Sequence, residues 1–189
     1  MTRLVSTCGS RPEAEPEATT VGVVDSTFPI EEEIRRFVAT VDSVPTTLRA
    51  GGQSRDDLVR RFIRAVETLD TLEFGRLVLQ RDEFIGVYYP HTRFTAPPYE
   101  LSPALLWFQM QNRSSQGLTR LLQRDGGRSL GYQGVHCPPE PQREAENRLW
   151  EGCRVEVSDS AGATRSRQLF GTILEHAGTF KFLTFANEY

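Results

Sequence analysis

Apolar residues recur at helical spacing through the first two thirds of the chain and at a spacing of two through the last third. Helices first and an antiparallel sheet last is the fold this predicts. The clearest helix starts at Ser54, with Asp56 and Asp57 in its first turn. Leu58, Val59, Phe62, Ile63, Val66 and Leu69 share one face, Arg55, Arg60, Arg61, Arg64 and Glu67 lie mostly opposite, and Asp70-Thr71 ends the helix. Before it, Phe28-Pro29-Ile30 and three glutamates open another helix, with Ser26 or Thr27 as cap. Its stripe is Ile30, Ile34, Phe37, Val38 and Val41, and it must end before Pro45. Short helices are expected over 72–79 and 82–87.

Prolines break residues 88–99 into an aromatic-rich loop. Ser102-Pro103 then caps a helix whose residues 104–110 are apolar nearly all round, which predicts deep burial or a cavity wall. Helix resumes through Leu118, Leu121 and Leu122 and stops at Gly126-Gly127. Four strands follow, over 129–137, 147–157, 167–176 and 179–185, with turns at 159–162 and at Ala177-Gly178. Short connections make the sheet antiparallel. Its last two strands carry bulky side chains on both faces: Phe170, Leu174, Phe180 and Phe182 alternate with Leu169, Ile173, Leu183 and Phe185. Helices are expected on one face only. The other face then needs a partner subunit, or a sheet that curls around a pocket.

A chain of 189 residues, 38% hydrophobic, suits one domain behind a tail. The expected division is a leader over 1–25 and a single α+β domain over 26–189, with an accessory helix in 26–50 and the core in 54–189. A net charge of −3 gives no electrostatic case for nucleic acid. No stretch approaches the roughly 20 apolar residues that span a bilayer. Residues 1–10 resemble the end of a bacterial lipoprotein signal, in which Cys8 would take the lipid; the apolar part of such a signal would have to lie upstream of Met1. Residues 11–20, rich in Pro, Glu, Ala and Thr, suit a tether. Lipidation at Cys8 would place the domain at the cell envelope; without it the chain is cytoplasmic. Cys137 and Cys153 face each other if their strands pair about Ala145. A bridge there contributes up to about 3 kcal/mol and needs an oxidising compartment. Two small buried thiols fit the same positions.

Candidate chemistry is sparse. His91, His136 and His176 share no ligand spacing, so neither metal nor cofactor is expected. Strict alternation puts Glu151 on one face with Leu149, Cys153, Val155 and Val157, where burial would tune it as an acid or base. A bulge at Gly152 would instead turn it outward. Asp82 and Glu83 suit the positive end of a short helix. Tyr88, Tyr89, Trp107 and Trp150 are candidates to orient a ligand through hydroxyl or indole groups, or else to anchor core and loop.

The run Ser54-Arg55-Asp56-Asp57-Leu58-Val59-Arg60-Arg61-Phe62-Ile63-Arg64-Ala65-Val66-Glu67-Thr68-Leu69-Asp70-Thr71 resembles the opening helix and break of the nuclear transport factor 2-like superfamily, in its SnoaL-like branch. Gly171, Glu175, Gly178 and Lys181-Phe182 are similar in character to that family's closing strands. Residues 81–89 read as helix where the family has an early strand. The resemblance implies a cone: N-terminal helices packed on a curved four-stranded antiparallel sheet that wraps a pocket. Family members include isomerases, dehydratases, cyclases and non-catalytic binding domains; no catalytic residue matches by position. The expected function is therefore non-catalytic, an envelope-associated domain binding a small hydrophobic ligand or a protein. A cytoplasmic SnoaL-like enzyme using a pocket carboxylate such as Glu151 is one alternative, and a homodimerisation module is another.

Overall fold

The computed structural model describes residues 28–158 and 162–187. The tether, Cys8, the caps at Ser26 and Thr27, and residues 159–161 of the expected turn lie outside that range. Five helices come first: α1 (Ile30–Val38), α2 (Arg55–Thr68), α3 (Thr71–Leu77), the single turn α4 (Arg81–Glu83) and α5 (Pro103–Asp125). Local chemistry sets their ends. Ser54 Oγ accepts the Asp57 amide, Asp70 accepts those of Leu72 and Glu73, and Ser102 accepts that of Leu105. The first helix starts instead at Pro29, without a side-chain cap.

Between α4 and α5 the chain stays wound. A π-helical turn covers Phe84–Tyr88, and short 3-10 turns cover Tyr89–His91 and Arg93–Thr95. The loop expected over 88–99 is thus partly helical, with Tyr88 and Tyr89 buried, Phe94 half-buried and Tyr99 exposed. The last helix is continuous, not two pieces, because nothing between Met110 and Leu118 breaks it. It is also less buried than its composition implied. Leu106 and Met110 are buried, whereas Leu105 and Phe108 on the outer side are 44% and 61% exposed.

The C-terminal third is antiparallel throughout but forms two sheets, where one four-stranded sheet was expected. Strands β1 (Tyr132–His136), β4 (Arg154–Ser158) and β5 (Thr164–Arg167) make a sheet in the order β1-β4-β5. Strands β2 (Gln142–Glu144), β3 (Asn147–Trp150), β6 (Ile173–His176) and β7 (Thr179–Phe182) make the other, ordered β2-β3-β6-β7. Two interruptions cause the division. Gly152, at φ +68°, breaks the long strand expected over 147–157 and sends its halves to different sheets. The segment between Arg167 and Ile173 does the same for the next strand. The β6–β7 turn takes Ala177 and Gly178 at φ +48° and +79°, the left-handed pair that matches hairpin twist.

The two faces of the four-stranded sheet support two cores. Ile173 and Phe182, paired across β6 and β7, join Phe62, Phe74, Phe170 and Phe185 under α2 and α3, against Val155 and Val157 of the smaller sheet. Phe62 sits at the centre, with four phenyl rings 5.1–5.9 Å away. On the opposite face Leu149, Leu174 and Leu183 meet Phe37 of α1, Phe84 and Tyr88 of the π turn, and Leu106 and Met110 of α5. Both apolar faces are therefore covered by this chain itself. The expectation of helices on one face only is corrected: α1, the π turn and the start of α5 cover the second.

Candidate functional site

The second core is incompletely filled. A cavity of about 390 Å³ lies between the first half of α5 and the β2–β3 end of the four-stranded sheet. A volume of this order suits a small organic ligand. Its apolar walls come from Phe94 and Leu101, from Leu106 and Met110 on α5, and from Leu149 and Leu183. Leu106 and Met110 face it because they lie four residues apart on one helix face. Gly171 forms part of the far wall; a side chain there would strike the Thr184 hydroxyl. The rim carries Arg93, Gln109 and Arg113, all exposed.

One polar group stands out inside. Glu144, at the end of β2, is 7% exposed and lines the cavity. Its Oε1 accepts from Gln142 Nε2 at 3.0 Å, and its Oε2 is buried with no hydrogen-bond partner. An unmade hydrogen bond to a buried polar group costs about 1–3 kcal/mol, more if it is charged. The hairpin explains the placement. Glu144 pairs with Asn147, whose side chain is also buried and donates to the Val87 carbonyl, so this end of β2–β3 is drawn under the π turn. Ala145, at φ +52°, makes the tight turn between them.

The Tyr88 phenol enters the same cavity. It shares a hydrogen bond with Thr92 Oγ1, 3.2 Å. Burial first, then the charges of Glu144 and Glu151, push its pKa up to about 12, against the pull of Thr92 and Arg93. This phenol is a neutral hydroxyl and no base.

The other residues singled out from sequence separate. Glu151 is exposed and lines the cavity from its outer side; of the two readings open for it, the outward turn at Gly152 is the one that fits, not the place on a buried apolar face. Tyr89 is spent on anchoring, its hydroxyl donating to the Leu101 carbonyl at 2.9 Å. Trp107 packs on Phe84 with centroids 5.2 Å apart. Trp150 lies on the opposite face of the sheet, beneath the Arg55 guanidinium at 3.7 Å, and donates to Glu175 at 3.1 Å. Of the four aromatic candidates, Tyr88 alone lines the cavity.

Cys137 and Cys153 are joined, with sulfurs 2.04 Å apart. The register explains their meeting: Val135 pairs with Val155 and His136 with Arg154, so the next step places the cysteines opposite. Neither cysteine lines the cavity. Among the described residues no three His, Cys, Asp or Glu side chains form a metal-holding group, and no helix is long and apolar enough to cross a membrane.

Sequence reasoning missed two further buried polar clusters. Glu83, read as a dipole-end residue, is fully buried against Lys181, the only lysine, with Nζ 2.7 and 3.0 Å from its oxygens. Backbone amides of Arg49 and Gln80 complete its shell. Burial lowers the Lys181 pKa while Glu83 resists that. With both oxygens occupied, the pair staples β7 to α4 and offers no open site. His176 is buried with Nδ1 2.8 Å from Asn147 Oδ1 and Nε2 3.1 Å from the Thr46 carbonyl, tying β6 to the segment after α1.

Comparison of the chain with family models, with curated proteins and with solved structures gave no match in any of the three.

Proposed function

We propose that this chain is a non-catalytic binding domain for a small, largely hydrophobic ligand, held between α5 and the four-stranded sheet. The observation that carries the reading is the half-apolar cavity inside an otherwise filled core, with a buried carboxylate oxygen left unsatisfied. Folded domains seldom keep such a defect without a use for it. The layout, helices over an antiparallel sheet with a pocket between, supports the SnoaL-like resemblance. The Cys137–Cys153 bridge supports work in an oxidising, envelope-side compartment, where a lipid on Cys8 would act as anchor. Thiol titration of protein from the native host bears on that part: a single free thiol, or none if Cys8 is blocked, is expected, and three would remove it.

An enzymatic reading draws on the same cavity. Its carboxylate would be Glu144 in place of Glu151, with the Tyr88 hydroxyl as hydrogen-bond donor. Among the described residues the lining adds no Ser, Cys, His or Lys to them, and binding is the simpler use.

The test is titration with N-phenyl-1-naphthylamine, a neutral fluorophore that brightens in apolar surroundings. One saturable site is expected, weakened at least tenfold by Met110→Trp and by Thr172→Tyr, which fill the cavity from opposite walls. Circular dichroism melts verify that each variant is folded. No binding to the parent, or binding indifferent to both variants, would dispose of the proposal.

A further inference from the structure

The cavity has a charge preference, and it follows from which of its ionic groups are out of water. Four charged side chains border it: Glu144, Glu151, Arg93 and Arg113. Three of them, both arginines and Glu151, are exposed, where water and salt screen them. Only Glu144 is buried; among the described residues two buried side-chain oxygens lack a protein partner, Glu144 Oε2 and Asn187 Oδ1, and of these two residues only Glu144 lines the cavity. Among the described residues no Lys, Arg or His lies in salt-bridge contact with it; Arg93 rests over the Phe94 ring, 5.2 Å from its centre. The Glu83 site shows how this chain treats a buried carboxylate it means to keep to itself: two amides and an ammonium occupy both oxygens. Glu144 has one neutral amide and a vacancy.

We propose that Glu144 is the recognition group for a cationic head, so that the ligand is an amphipathic primary amine or guanidine whose apolar tail lies along Leu106, Met110, Leu149 and Leu183. A donor-rich cation is what a buried, half-satisfied carboxylate pairs with best, since charge-assisted bonds are the strong ones and weak screening enhances them. The Tyr88 hydroxyl, neutral and held beside Glu144, adds a dipole to the same end of the cavity. The arginines at the rim discourage a second positive charge near the mouth. A monocation with one tail is the form that fits.

This inference rests on the cavity being a binding site, and the experiment separates the two. Octylamine, 1-octanol and octanoate share a tail and differ in head. Isothermal calorimetry on the full chain at pH 7 should show octylamine binding at least tenfold tighter than octanol, and octanoate weakest. Glu144→Gln, which keeps the shape and removes the charge, should abolish the amine's advantage over octanol. Equal binding of all three, with no effect of Glu144→Gln, would overturn the head-group assignment and leave the cavity standing. Octanoate binding best would overturn it in favour of the rim arginines. Failure of all three, together with failure of the neutral fluorophore, would overturn both readings.

Discussion

At the residue scale, the account turns on Glu144. A binding group left unsatisfied in the free protein costs stability, so removing it should help folding while harming recognition. Glu144→Met, apolar and of similar length, should raise the ligand-free melting temperature by about 2–4 °C, equivalent to about 1 kcal/mol for a domain of this size. A scanning-calorimetry result showing a clear fall would mean that the carboxylate is satisfied after all. Tyr88 gives a second check. Burial holds both Tyr88 and Tyr89 near pKa 12, above the value of about 10 for an unfolded tyrosine. The folded state therefore keeps protons that the unfolded chain releases. That contribution is complete below pH 10 and is lost as pH climbs through 12. Absorbance at 295 nm should show three phenols titrating late, since burial and the Asp56 hydrogen bond raise Tyr132 as well, with denaturant stability declining as they ionise. Glu144 could not be singled out beforehand, because its neighbours Pro141, Gln142 and Arg143 read as a solvated connection. Its burial is imposed by Tyr88 and α5, which are distant in sequence. Glu151 carried two readings, a buried apolar face under strict alternation and an outward turn at Gly152; it is exposed, and Gly152 at positive φ ends the alternation.

At the scale of elements, what was legible was whatever local chemistry decides. Ser54, Asp70 and Ser102 fix helix starts through their own side chains; Ser54 and Ser102 could be read as caps, whereas Asp70 was read only as the break after the preceding helix. Most strands were legible, but β2 and most of β5 fall where no strand was expected, and sheet membership was not legible, since Gly152 and the segment after Arg167 redirect chains that look continuous. The orientation of α5 also escaped the pattern. With apolar residues nearly all round, residues 104–110 gave no face, and packing alone put Leu106 inward and Phe108 outward. Leu106→Ala should therefore cost about 2–5 kcal/mol in urea unfolding, and Phe108→Ser should stay within about 0.5 kcal/mol. Comparable losses from both would place Phe108 in a contact that this arrangement lacks.

At the scale of the molecule, one sheet separates two cores built to different standards. The side under α2 and α3 is closed by phenyl rings around Phe62, which suits a structural role. The side under α5 and the π turn admits a cavity, a spare carboxylate and a neutral phenol. Bulky residues on both faces of the last strands were visible in the sequence; that the chain covers both faces was not, because α1 and the π turn reach the second from far upstream. Labelled leucine and methionine methyls read this division directly in a heteronuclear NMR titration with N-phenyl-1-naphthylamine. Shifts confined to Leu101, Leu106, Met110, Leu149 and Leu183, with Leu58 and Leu105 unmoved, are the predicted result. Shifts centred on the exposed Leu72 or Leu105, or none at saturating probe, would contradict it.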